Sequence, residues 1–280
     1  MPTENILYSI LLEKIKQGTL VLPTLPRVAL QVRRAADDDS INLTQMSDII
    51  AHDPALSLGI LKVANGALLG RTVKVETVNQ AVTRIGLRRI KSIATAMAIE
   101  QVFVSEHPVV SVYLKKAWDK TIDVAAVAIT LMNFYLRDNK HSSLSLDTIS
   151  LASLVHNIGI LPILTEAEQQ ADMFAEPNFL QQAISKLSGN ISAAVIEAWG
   201  FSSEFIELVQ YWGDLKILPK EVHYLDFIRA GAVFNNIFKN VETRHALLNA
   251  YVAKGVIPDV HFMQSEEFND MVGYVRAMFT

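Results

Sequence analysis

Apolar residues in this chain recur three and four positions apart, in stretches that close on glycine, proline or a short polar turn. That spacing lines one face of an α-helix, whereas a half-buried strand needs every second residue. Leu7, Ile10, Leu11 and Ile15 make the first such face, ended by Gly18, and Pro23 and Pro26 bracket an extended link. Val28, Leu30, Val32 and Ala35 begin a second helix that stops in the polar turn 37–40. Thr44 reads as the cap of a third, with Met46, Ile49 and Ile50 on one face. Strand-type alternation does not recur and no fixed-period repeat is present, so the expected fold is all-α.

The next start signal is His52-Asp53-Pro54, followed by Leu56, Ile60, Val63 and Ala67 and closed by Gly70. Asp53 can accept from first-turn amides, and Pro54 suits the first helical position because it has no N–H to leave unpaired. A helix cap therefore explains this pair better than a metal ligand does. Helices are expected at Val78–Ile85, stopped by Gly86, and at 87–103. Glu106-His107-Pro108 marks an internal boundary between 1–107 and 108–280. Beyond it come a long helix through Trp118 and Ile129, a polar loop at 137–145, and helices at 147–157, 178–187, 191–199, 203–211, 221–239 and from Glu266.

Half the residues are apolar and 19% are charged, which is enough apolar material for a substantial core. The net charge of −4, with no basic tail, argues against nucleic-acid binding through phosphate neutralisation. The absence of cysteine excludes disulfides, thiolate metal sites and a Cys nucleophile. Residues 1–12 lack a basic n-region, and the apolar stretch 124–136 is too short to span a bilayer, so a cytoplasmic protein with no membrane partner is expected. No Gly-rich phosphate loop and no G-x-S-x-G element occurs.

Four segments carry a family resemblance, in order: Leu22-Pro23-Thr24-Leu25-Pro26, then Ile50-Ala51-His52-Asp53-Pro54-Ala55-Leu56, then Leu61-Lys62-Val63-Ala64-Asn65-Gly66-Ala67, and Val78-Asn79-Gln80-Ala81-Val82-Thr83-Arg84-Ile85-Gly86. Together, over about residues 20–238, they resemble the HDOD family of bacterial signalling domains, which is related to HD phosphohydrolases. The resemblance implies an N-terminal helical subdomain packed on an HD-like helical core, with a role in signal transduction. The 280 residues are too few and too fully accounted for by that match to hold a receiver domain as well, so a stand-alone copy is expected.

HD hydrolases hold divalent metals on His and Asp side chains, and the metal activates water against a phosphoester. Where that resemblance places L-L-H-D-I-G-K, this chain has Leu154-Val155-His156-Asn157-Ile158-Gly159-Ile160. His156 remains, but Asn157 loses the charge that makes an Asp a good ligand. Lys120 falls at an upstream histidine position and Ser188 at a downstream one. The paired-His segment aligns on Tyr211-Trp212-Gly213, and Gly231 stands where the late Asp belongs. His156, Asn157, Lys120, Ser188, Trp212 and Gly231 are therefore expected to be the remnant of a metal site, with no catalytic residue, metal or cofactor. The competing expectation is a hydrolase with ligands rearranged onto His156, Asp123 or Asp226.

A core or helix-end role is the plainer account of His156, and Trp118, Trp199 and Trp212 are expected to pack the core. Arg84, Arg88, Arg89 and Lys91 form the one local basic cluster, a candidate surface for an anion or a partner, with a solvated helix face as the plainer account. The expected partner is a signalling protein, and a nucleotide ligand is a weaker alternative.

Overall fold

Polar caps written into the sequence set where most of the helices begin. The computed structural model describes residues 4–24, 26–36, 38, 40–66, 74–169 and 177–279, with residues 4–7, 33, 36, 88 and 177–179 described only as backbone. All regular elements among them are helical. α1 (Glu4–Gln17) ends at Gly18, whose φ of 65° is the left-handed stop expected there. α2 (Arg27–Ala36) leads to α3 (Leu43–Ala51), which Asn42 caps in place of Thr44. Asn42 accepts from the Gln45 amide at 3.0 Å while the Gln45 side chain accepts from the Asn42 amide at 2.9 Å.

α4 (Pro54–Asn65) starts as expected, with Asp53 accepting from the Leu56 amide at 2.8 Å. The helix ends at Asn65, so Ala67 and Gly70 lie outside the described residues, as do Leu25, Asp37 and Asp39. The Asn65 amide donates to the Val75 carbonyl and accepts from the Val75 N–H, both at 2.9 Å, which fixes the approach to α5 (Val78–Ile85). Gly86, at φ 86°, turns the chain directly into α6 (Leu87–Glu100).

His107 and Pro108 open α7 (Pro108–Asp138), a 31-residue helix about 45 Å long at ~1.5 Å per residue. α8 (Leu146–Val155) and α9 (Ile160–Glu168) follow, joined by the tight turn 156–159. Among the described residues, the stretch Leu146–Glu168 is long and apolar enough to cross a membrane, but 78% of its apolar window is buried in the protein's own core. The chain then runs through α10 (Pro177–Ala198), α11 (Ser203–Tyr211), α12 (Tyr224–Phe234), α13 (Val241–Ala253) and α14 (Glu266–Ala277).

Three expectations change. α10 is one continuous helix where two were expected, and Gly189 within it, having no Cβ, lets the Gln210 carbonyl of α11 approach closely. α12 is shorter than 221–239, and α9 and α13 had no expected counterpart.

Two hydrophobic clusters share α7 as a common wall. The first joins α1 through α6, the N-terminal half of α7 and α8 through α10, and it runs without a break past residue 107. The second packs the C-terminal half of α7 and Ile149 and Ala152 of α8 against α12, α13 and α14. Apolar residues 124–132 of α7 are almost all buried, in keeping with a core helix. α8 reaches both clusters, and its C-terminal end delivers His156 to the seam.

Candidate functional site

α8 ends at Val155, so His156 takes the C-cap position and turns inward, only 3% exposed. Its Nδ1 lies 2.5 Å from the Ser153 carbonyl, an acceptor, so Nδ1 carries the proton and Nε2 the lone pair. The imidazole packs edge-on against the Trp212 indole, with ring centres 4.6 Å apart and planes at 89°. Burial lowers the His156 pKa from 6.5 to about 4, so the ring is neutral at pH 7. A neutral imidazole could ligate a metal, but among the described residues no carboxylate acts on its charge.

Next along the turn, the Gly159 N–H donates to the Ser192 hydroxyl at 2.8 Å. A Cβ at Gly159 would run into the Ser188 carbonyl and lie 2.6 Å from the Ser192 amide, so this turn needs glycine to sit against α10. Ser188 therefore meets the site through its backbone. Asn157 is half-buried in the same turn, and its carbonyl accepts from the Ile160 N–H at 3.1 Å.

Trp212 caps the C-terminal end of α11, and from α12 the fully buried Arg229 reaches the same place. Its guanidinium donates to the carbonyls of Trp212 at 2.9 Å and of Tyr211, Asp214 and Ile217 at 2.8 Å each. Those of Tyr211 and Trp212 lie at the negative end of α11, which suits a cation. Burial lowers the Arg229 pKa, and the nearby Tyr251, Asp226 and Asp214 counter that. A guanidinium on the backbone of the residue that covers His156 opposes a second cation nearby.

Two residues fall differently from expectation. Lys120 is exposed on α7, while its neighbour Thr121 is buried and donates to the Ala117 carbonyl at 2.9 Å, so no ammonium stands beside His156. Gly231 is a packing requirement, because a Cβ there would lie 2.5 Å from the Val124 carbonyl of α7. The two helices leave no room for an Asp at that position.

The alternative ligand set is dispersed as well. Asp123 pairs with Arg276 at 2.7 Å, and buried Asp226 pairs with Lys254 at 2.6 Å while accepting from the His223 amide at 3.0 Å. Among the described residues, no three His, Asp or Glu side chains lie close enough to hold a metal ion. The residues present do not fit the metal centre that HD hydrolases carry.

The basic cluster diverges in three directions. Arg84 donates to the Ala64 carbonyl at the end of α4, and Arg89 donates to the Tyr274 hydroxyl at 2.9 Å, its guanidinium over the ring. Lys91 lines a cavity of about 220 Å³ between α6, α8 and the start of α11. The Arg88 side chain lies outside the described residues. Sequence reasoning missed this cavity because its lining comes from three segments far apart in the chain, each of which alone reads as ordinary helix surface.

The HDOD domain profile matches residues 22–214. A crystal structure of a proposed metal-dependent phosphohydrolase from Shewanella amazonensis is 40% identical, covers both chains in full and superposes with a TM-score of 0.88. An HDOD domain protein of unknown function from Geobacter sulfurreducens shares the fold at 18% identity over 96% of each chain, with a TM-score of 0.69. A Treponema pallidum protein is 24% identical over 71% of this chain, and the match spans 39% of that longer relative. With the profile across most of its length and a relative alike from end to end, this chain belongs to the HDOD family.

Proposed function

We propose that this protein is a non-catalytic HDOD signalling module that works by binding a partner protein, with the metal site of its hydrolase relatives turned into core packing. The observation that carries this reading is the packing at the seam. His156 is neutral and held edge-on against Trp212, and Arg229 occupies the backbone of that same tryptophan. One imidazole, an amide at Asn157 and a buried guanidinium supply too little negative charge to hold a divalent cation. The module is bacterial and cytoplasmic in this proposal, in keeping with relatives drawn from Shewanella, Geobacter and Treponema. Neither a nucleic acid nor a membrane surface is a partner in it. A structural neighbour from Marinobacter aquaeolei, named for signal transduction, adds weight by analogy of fold.

The test is metal content of protein purified from cultures supplemented with manganese, iron or zinc, together with turnover of a generic phosphodiester. The expected result is substoichiometric metal and no turnover, both unchanged in His156→Ala. A full equivalent of metal that disappears in His156→Ala would sink the proposal. The second reading, a metal-dependent phosphohydrolase, is favoured by the name of the 40%-identical Shewanella structure, and the same measurement decides it.

A further inference from the structure

We infer that the cavity between α6, α8 and the start of α11 is a binding site for a free α-amino acid with a large apolar side chain. Its volume of about 220 Å³ sets the scale. That is below the ~300–1,000 Å³ of pockets for drug-sized ligands and equals the space of about seven waters at ~30 Å³ each. That space is too small to seat a cyclic dinucleotide whole, whereas a single leucine or phenylalanine is of the right size.

The lining is divided by chemistry. Leu151 and Leu154 of α8 and the rings of Phe201 and Phe205, whose centres are 5.3 Å apart, supply an apolar floor. Lys91 from α6 and Asp147 from α8 bring opposite charges to the same opening. A site with one charge of each sign above an apolar floor suits a zwitterion with an apolar body.

Thr95 is what makes this a site and more than a dent. It lines the cavity, it is only 8% exposed, and its hydroxyl has no hydrogen-bond partner among the described residues. That hydroxyl opens on the cavity, so it can donate to a ligand acceptor there without giving up a bond inside the protein. Ser202, also in the lining, stands at the N-cap of the nine-residue α11, yet its side chain accepts none of the first-turn amides. The leading N–H groups of α11 thus add partial positive charge at the cavity. The ligand carboxylate takes the Thr95 hydroxyl, Lys91 and the α11 terminus, its ammonium takes Asp147, and its side chain lies on the phenyl rings. Occupancy would tie α6 in the N-terminal half to α8 and α11 in the C-terminal half. Binding here stands whether or not the seam at His156 is catalytic.

Titration calorimetry and thermal-shift measurements with L-phenylalanine and L-leucine on the full chain test the assignment. Saturable binding is expected, weakened at least about 10-fold for phenethylamine and for 3-phenylpropionate, which lack the carboxylate and the ammonium respectively. Thr95→Val and Asp147→Asn should each weaken L-phenylalanine about 10-fold or more, and Thr95→Ser should restore it. Thr95→Val should also melt no lower than wild type, which separates lost binding from lost fold. Absence of heat and of a shift with both amino acids at about 10 mM, where a millimolar site is filled, would overturn the assignment. So would wild-type affinity in both Thr95→Val and Asp147→Asn.

Discussion

Burial keeps the His156 imidazole neutral by lowering its pKa from 6.5 to about 4. Between those values the unfolded chain binds a proton that the folded chain refuses, so this contribution to stability is complete above pH 6.5 and is lost as pH falls toward 4. The difference is worth roughly 3 kcal/mol. In urea unfolding, His156→Asn should flatten the fall in stability across that window, leaving a residual slope from His223, whose pKa burial also lowers. An unchanged slope would show that His156 does not set the acid response. Residue identities pointed to the turn at His156 in advance, since the segment 154–160 is singled out by the sequence alone. Orientation did not, because one position along a helix is a rotation of about 100°, enough to put Lys120 in solvent and Thr121 in the core. The meeting of His156 with Trp212 depends on how α8 and α11 dock, which no local pattern records.

Some helices were legible from local caps and stops. Asp53-Pro54 and Val78–Ile85 with Gly86 lie where the residues predict them. α13 was hidden because among its residues only Leu247 and Tyr251 are buried, too few to make an apolar stripe. α9 was hidden by Pro162 in its first turn, a position the helix tolerates. Glycines inside elements carried a meaning that only packing reveals. Gly159→Ala and Gly231→Ala should each cost about 1–3 kcal/mol, since the added Cβ meets backbone that cannot swing aside. Gly273→Ala, exposed on α14 with open space around it, should instead stabilise by roughly 0.5–1 kcal/mol. Denaturant midpoints for the three variants check the contrast, and a common sign for all of them would refute it.

At the scale of the molecule, α7 belongs to both hydrophobic clusters, so neither can come apart without exposing the other's wall. A single unfolding transition is expected, with far- and near-ultraviolet circular dichroism tracing the same curve. Arg229→Met removes four hydrogen bonds to the carbonyls of residues 211–217 and should lower that one transition by on the order of 3 kcal/mol without splitting it. Two separated transitions would mean that the clusters are independent.

The close approach of Gly231 to the Val124 carbonyl also limits what that position can become. Placing an aspartate there requires α7 and α12 to move apart, so such a variant loses stability before its carboxylate can meet any partner. A contact between two backbones thus acts as a filter on side chains, passing only the residue that has none.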